Sequence, residues 1–164
     1  MSLSANRFTW STGPGSLLVL VGVWLAGTLA GCTFDSGLSK AEMEMIVVAT
    51  SALNQCQYCV IAHGAILRIR AKDPFIADQV ATNYRKADIT PRQRAMLDYA
   101  MKVSRQAETV GPEDFETLHG HGFSDEDIWD IGAVAAFFAL SNRMANMVSM
   151  RPNAEFYAMG REPR

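Results

Sequence analysis

The chain has 164 residues, enough for one domain with a sizeable core. Apolar residues make up 49% of it, which excludes a disordered chain. A formal net charge of −2 offers no basic surface, so no nucleic-acid partner is expected.

In chain order, the first feature is Leu17 to Gly31, which contains no charged residue and runs into Leu29-Ala30-Gly31-Cys32. Two readings stay open. One is a bacterial lipoprotein signal, a short apolar run before a small-residue cleavage site with Cys32 as the lipid anchor. Only Arg7 and the amino terminus supply positive charge upstream of it. The other is the expectation adopted here: a buried first helix of a cytoplasmic protein. It would be entered through Gly13-Pro14-Gly15 and followed by a loop at Thr33–Gly37. The run is short for a membrane span, which needs about 20 apolar residues.

Helix then follows helix. Ser39-Lys40-Ala41-Glu42 is a capping box that predicts a helix to about Leu53. Asn54 is a good N-cap and predicts the next helix, from Gln55 to about Arg70. Asp73-Pro74 predicts a short helix to about Tyr84, with proline at its first position. Thr90-Pro91-Arg92-Gln93 is a second capping box, opening a helix to about Arg105. Pro112 to His119 reads as a short helix ending at Gly120. Ser124-Asp125-Glu126-Asp127 caps a long helix to about Met147 and puts acidic residues at its positive end. Pro152–Met159 reads as a last turn. No segment alternates with period two for long enough to be a strand. The predicted fold class is all-α, in a single domain over residues 1–164.

The chemistry concentrates in Asn54-Gln55-Cys56-Gln57-Tyr58-Cys59-Val60-Ile61-Ala62-His63. On the predicted helix Cys56 and Cys59 are i,i+3, and Cys59 and His63 are i,i+4, so all three share one stripe. The first turn of a helix carries partial positive charge, which stabilises a thiolate. Glu44 lies twelve residues before Cys56. A dithiol, an imidazole and an upstream carboxylate fit thiol redox chemistry. Three cysteines cannot all pair within one chain, and odd usage with a C-x-x-C fits a reducing compartment.

Each residue has a plainer reading. Cys56 and Cys59 could be packed apolar residues, or could bind zinc with His63 and Glu44. Glu44 could be a solvated helix residue; Glu42 already has a role in the capping box. His63 could be an ordinary helix histidine, although an imidazole there can accept a thiol proton. His119 and His121 flank Gly120 and read as exposed and inert. Tyr58 reads equally as packing or as a hydrogen-bond donor near the thiols. Met43, Met45, Met144, Met147 and Met150 suit core or subunit contacts. Phe137 and Phe138 read as core, or as the wall of an apolar peroxide pocket.

The spacing Glu44-x11-Cys56-x-Tyr58-Cys59-x3-His63 resembles the signature of the carboxymuconolactone decarboxylase superfamily, in its alkylhydroperoxidase D-like redox branch. Leu38 to Ile46 is similar to the segment that leads into that motif. Asn54 to Cys59 resembles the peroxidase-related subgroup in particular, as do Ile128-Trp129-Asp130-Ile131 and Ala136 to Arg143. The similarity is strongest over roughly residues 36–100. Some members carry a second histidine where this chain has Tyr58, and tyrosine cannot relay a proton near neutral pH as imidazole can.

The resemblance implies a helical bundle that reduces hydrogen peroxide or organic hydroperoxides through a Cys56–Cys59 dithiol/disulfide cycle. It implies no cofactor and no metal. It implies an external dithiol reductant, protein or lipoyl-type, and a homo-oligomer, hexameric or trimeric. It gives the peroxide-attacking role to Cys59 and an exposed, resolving role to Cys56. Glu44 would reach toward Cys59 as proton acceptor, directly or through water, and His63 would accept a thiol proton or, as a cation, stabilise the thiolate. Helix position argues the other way, since Cys56 lies nearer the positive terminus. The expectation follows the resemblance, because His63 is one turn from Cys59. Two alternatives stay open: a lactone decarboxylase-like enzyme, which needs no cysteine pair, and a non-catalytic redox-sensing or zinc-binding protein.

Overall fold

Ser39 and Glu42 start the first described helix by satisfying each other. The Glu42 N–H donates to Ser39 Oγ at 3.2 Å, and the Ser39 N–H donates to Glu42 Oε2 at 2.9 Å. In the computed structural model, which describes residues 37–162, this helix is α1 (Lys40–Leu53). The expectations for Gly13–Gly15, Leu17–Gly31 and Cys32 lie outside the described residues.

α1 sits at the centre of the fold because its second half is mostly apolar and buried all round. Every residue from Met45 to Ser51 is buried. Helices α2 (Gln57–Ala71), α3 (Ile76–Asn83), α4 (Pro91–Gln106) and α6 (Asp125–Met147) all pack against it. Two polar residues share this interior. The Thr50 hydroxyl donates back to the Ile46 carbonyl at 2.7 Å. Ser51 faces α6, where its hydroxyl oxygen accepts from Asn142 at 3.0 Å.

The remaining elements are a 3₁₀ turn at Tyr84–Lys86, another at Ala107–Thr109, α5 (Pro112–Gly120) and α7 (Ala154–Ala158). That makes seven α-helices and no strand among the described residues, an all-α fold as expected. The described residues belong to one compact unit, Ser36–Arg164.

The capping boxes are where the sequence puts them. Thr90 and Gln93 close the start of α4, and Ser124 and Asp127 close the start of α6. Asp127 also accepts the Gly37 N–H at 2.6 Å, which ties the entry of α1 to α6. Glu42 accepts a further bond from Arg92, whose guanidinium lies 3.8 Å over the Phe123 ring.

Two helix starts differ from expectation. Asn54 does not cap α2; it ends α1, with its N–H donating to the Thr50 carbonyl at 3.1 Å. Its side chain is drawn instead to Asn142 of α6, at 3.1 Å. The chain reverses through Gln55, at a left-handed φ of 52°, and Cys56 becomes the N-cap of α2. Likewise, α3 starts at Ile76 and not at Pro74. Asp73 does act as a cap, but its Oδ1 accepts from the N–H groups of Phe75 and Ile76, two and three residues on.

α7 is pinned to α2 by a buried arginine. Arg68 donates to the Met159 carbonyl at 2.9 Å and to the Phe156 carbonyl at 2.8 Å. Truncating it removes both bonds and the packing of a buried side chain, so Arg68→Ala should destabilise by about 2–3 kcal/mol, read from chemical denaturation.

Candidate active site

The short link between α1 and α2 sets the cysteines. Cys56 donates its N–H to the Ser51 carbonyl at 3.0 Å, which fixes it as the residue before the first turn of α2. Cys59 is then the third residue of that helix, so its backbone N–H points back toward Cys56. Both thiols are free and buried, with relative exposures of 1% and 3%. Ala145 of α6 packs on them, with Tyr58 and Met150 at the edge. Cys56 is therefore not the exposed thiol that the resemblance implies, because the end of α6 covers it.

The two thiols differ electrostatically. A hydrogen bond from the Cys59 side chain holds the Cys56 thiol down to about 6. Backbone N–H groups of Cys59 and Tyr58 and the Asn142 side chain act in the same direction, against burial. Cys59 moves oppositely: its bond to Cys56 raises it, then burial, then the charge on Cys56. The negative charge of the pair thus rests on Cys56 and the proton on Cys59, as an N-cap favours. The Tyr58 phenol is pushed up, by burial first and then by the charges of the two cysteines. It stays a neutral phenol beside them.

In the reduced protein, thiolate ultraviolet absorbance should correspond to one thiolate per chain at neutral pH. It should fall with acid around a midpoint of about 6, because Cys56 is the group that takes up the proton. An absorbance midpoint near the free-thiol value of about 8.5 would contradict this.

Glu44 and His63 form a separate buried arrangement. Glu44 Oε2 meets His63 Nδ1 at 2.8 Å, and Glu44 Oε1 accepts from Arg70 at 3.0 Å. Glu44 is thus set against His63 and Arg70 and not against Cys59. With the carboxylate held by Arg70, Nδ1 carries the proton and donates, leaving Nε2 as the nitrogen able to accept one. Phe138 of α6 stands edge-on to the imidazole, ring centroids 4.9 Å apart, and Phe137 packs on Phe138 at 5.5 Å. Phe138 therefore walls the histidine, and Phe137 is partly exposed behind it.

Among the described residues, no three histidine, cysteine, aspartate or glutamate side chains converge as metal ligands. His119 has a partner that sequence reasoning missed, Asp125 at 2.8 Å, in an exposed pair at the surface. A surface concavity of about 580 Å³ lined by Leu53, Tyr84, Asp98 and Lys102 takes in neither thiol.

Asn142, Ser51 and Arg70 also surround this site, and sequence reasoning did not single them out. Asn142 is fully buried on α6 and donates to Ser51 Oγ at 3.0 Å. Flanked by Ser141 and Arg143, it looks in the sequence like a solvated helix position; only its burial marks it, since a buried amide needs partners.

The chain is similar to known proteins over most of its length. The carboxymuconolactone decarboxylase family matches residues 21–100. An uncharacterised peroxidase-related protein from Ralstonia eutropha JMP134, with an alkylhydroperoxidase AhpD core, is 57% identical. That match covers 90% of this chain and 80% of the other, with a TM-score of 0.82. An uncharacterised peroxidase-related protein from Silicibacter sp. TM1040 is 46% identical over 77% of this chain and 66% of its own, with a TM-score of 0.75. A protein of unknown function from Agrobacterium tumefaciens, ATU0492, shares the fold at 23% identity and a TM-score of 0.66, over 87% of this chain and 93% of its own. Comparison with curated proteins gives no match.

Proposed function

The chain belongs to the carboxymuconolactone decarboxylase superfamily, in its alkylhydroperoxidase D-like branch, and from that premise we propose that it is a thiol-dependent peroxidase. The observation that carries this reading is the asymmetric thiol pair. Cys56 at the N-cap of α2 holds the charge, and Cys59 one turn inside holds the proton. A lactone decarboxylase needs no such pair.

The Cys56 thiolate attacks the outer oxygen of a hydroperoxide. An S–O bond forms, the O–O bond breaks, and Cys56 becomes a sulfenic acid. The departing alkoxide or hydroxide takes the Cys59 proton, with His63 Nε2 as its carrier. The new Cys59 thiolate attacks the Cys56 sulfur, expels hydroxide, which takes a proton from solvent to leave as water, and closes the disulfide. An external dithiol, protein or lipoyl-type, then reduces that disulfide by exchange. Attack by Cys56 reverses the roles that the family resemblance implies. The N-cap position of Cys56 and the opposite shifts of the two thiols support this choice.

Purified protein with dithiothreitol as reductant should consume hydrogen peroxide or an alkyl hydroperoxide catalytically. The double variant Cys56→Ser/Cys59→Ser should not. Equal consumption by both would remove the proposal.

We also propose a homo-oligomer, hexameric or trimeric. The outer face of α6 carries Trp129, Leu140, Met144 and Met147, which are 76%, 54%, 51% and 68% exposed. Their spacing puts them on one stripe of the helix. A stripe of that size is an aggregation liability when left open on a single chain. Light scattering at micromolar concentration should give a multiple of the 18.0 kDa chain mass, and a monomer mass would refute it.

A further inference from the structure

Asn142 lies on α6, far along the chain from the cysteines, yet it is fully buried beside them. The Asn54 side-chain amide donates to Asn142 Oδ1 at 3.1 Å, which turns that oxygen toward Asn54. The Asn142 NH₂ therefore faces the other way, where Ser51 Oγ accepts one of its two N–H groups at 3.0 Å. Ser51 in turn accepts the Cys56 N–H on its carbonyl, which sets this amide next to the start of α2 and the thiol pair. Ala145, one turn on from Asn142, packs directly on Cys56 and Cys59.

The support around this amide is unusually complete. Asn146 Nδ2 donates to the Asn54 carbonyl at 3.2 Å, so two asparagines of α6 grip the residue before the left-handed Gln55. Ser51 gives its carbonyl to the Cys56 N–H and its hydroxyl oxygen to Asn142. With that oxygen occupied as an acceptor, the Ser51 O–H is left to donate. Buried amides are fully partnered or costly, and the buried groups beside this stretch of α6 are the two thiols.

We propose that Asn142 is the positioning hydrogen-bond donor of the thiol pair, held by Asn54 and Ser51 so that its amide stabilises anionic sulfur at Cys56 and Cys59. This rests on the reading of the pair as redox-active, and it adds a residue from the other end of the fold to that site. The direction of its electrostatic influence agrees: the Asn142 side chain lowers both thiols, and that of Ser51 lowers Cys59. The donor is uncharged and fixed before any reaction, so it favours the thiolate with no reorganisation.

The test is a titration of thiolate absorbance against pH in reduced parent, Asn142→Ala and Asn142→Asp, with thermal melts alongside. Losing the donor should raise the midpoint by about one pH unit in Asn142→Ala. It should rise further in Asn142→Asp, which is nearly isosteric but sets a carboxylate beside the thiolate. A purely structural asparagine would lower the melting temperature and leave the midpoints within a few tenths of a unit, and that result overturns the assignment. If neither variant folds, Asn54→Ala decides, because Asn54 is half-buried and its loss frees the amide to turn. A raised midpoint there supports the proposal and an unchanged one refutes it. Peroxide has no part in this titration, so failure here and failure of the peroxidase reading are separate results.

Discussion

Cys59→Ser protein treated with one equivalent of peroxide should hold one trappable sulfenic acid per chain, at Cys56, and Cys56→Ser protein should hold none. Cys56 keeps what stabilises its thiolate when Cys59 is replaced. The N–H groups at the start of α2 remain, and a serine hydroxyl can still donate to the sulfur. With no second thiol to condense with, the sulfenic acid persists. Cys59 alone has no such advantage, since burial holds its thiol up. A thiol at about 6 is almost fully ionised near neutral pH, whereas one at the free value is only a few per cent ionised. Cys56→Ser should therefore react with peroxide at least about 30-fold more slowly. Intact-mass spectrometry after a sulfenic-acid trap reads both results. The opposite pattern would give the attack to Cys59, as the family resemblance implies.

His63→Gln should lower peroxide turnover by about 10²-fold, the usual size of a lost general acid–base group. Glutamine cannot accept a proton as imidazole can. Glu44→Gln should cost about 10-fold or more, because it removes the charge that fixes the imidazole tautomer while keeping a hydrogen-bonding group at 2.8 Å from Nδ1. The two losses should not add. Once His63 is gone, Glu44 has no proton carrier to orient, so the double variant should match His63→Gln alone. Additive losses in turnover would mean that Glu44 acts on the thiols by a route of its own. Full turnover in His63→Gln would remove the imidazole from the mechanism.

Local chemistry explains which parts of this fold could be read directly from the chain. The capping boxes at Ser39, Thr90 and Ser124 depend on residues three apart, and all three form. The same box separated the two neighbouring glutamates. Glu42 is spent on the Ser39 N–H and Arg92, which leaves Glu44 for the site. Asn54 departs from the local expectation for a long-range reason. A good N-cap in isolation, it is claimed by Asn142, 88 residues away, and the cap falls to Cys56. That shift moves Cys56 from inside the first helical turn to its edge, and so changes which thiol the backbone N–H groups serve. The family resemblance supplied Glu44 and His63 but not their mutual pairing or Arg70, because neither spacing nor periodicity reveals which way a buried carboxylate turns. Asn142 and Ser51 stayed hidden for the same reason, being 91 residues apart.

The most direct test of the central claim is a count of free thiols in the reduced protein before and after one equivalent of hydrogen peroxide, with reductant removed. The account predicts rapid loss of two thiols per chain, a mass lower by about 2 Da, and recovery of both thiols with dithiothreitol. Unchanged thiols, with peroxide left unconsumed, would contradict it and favour proton chemistry of the lactone decarboxylase kind at Glu44 and His63.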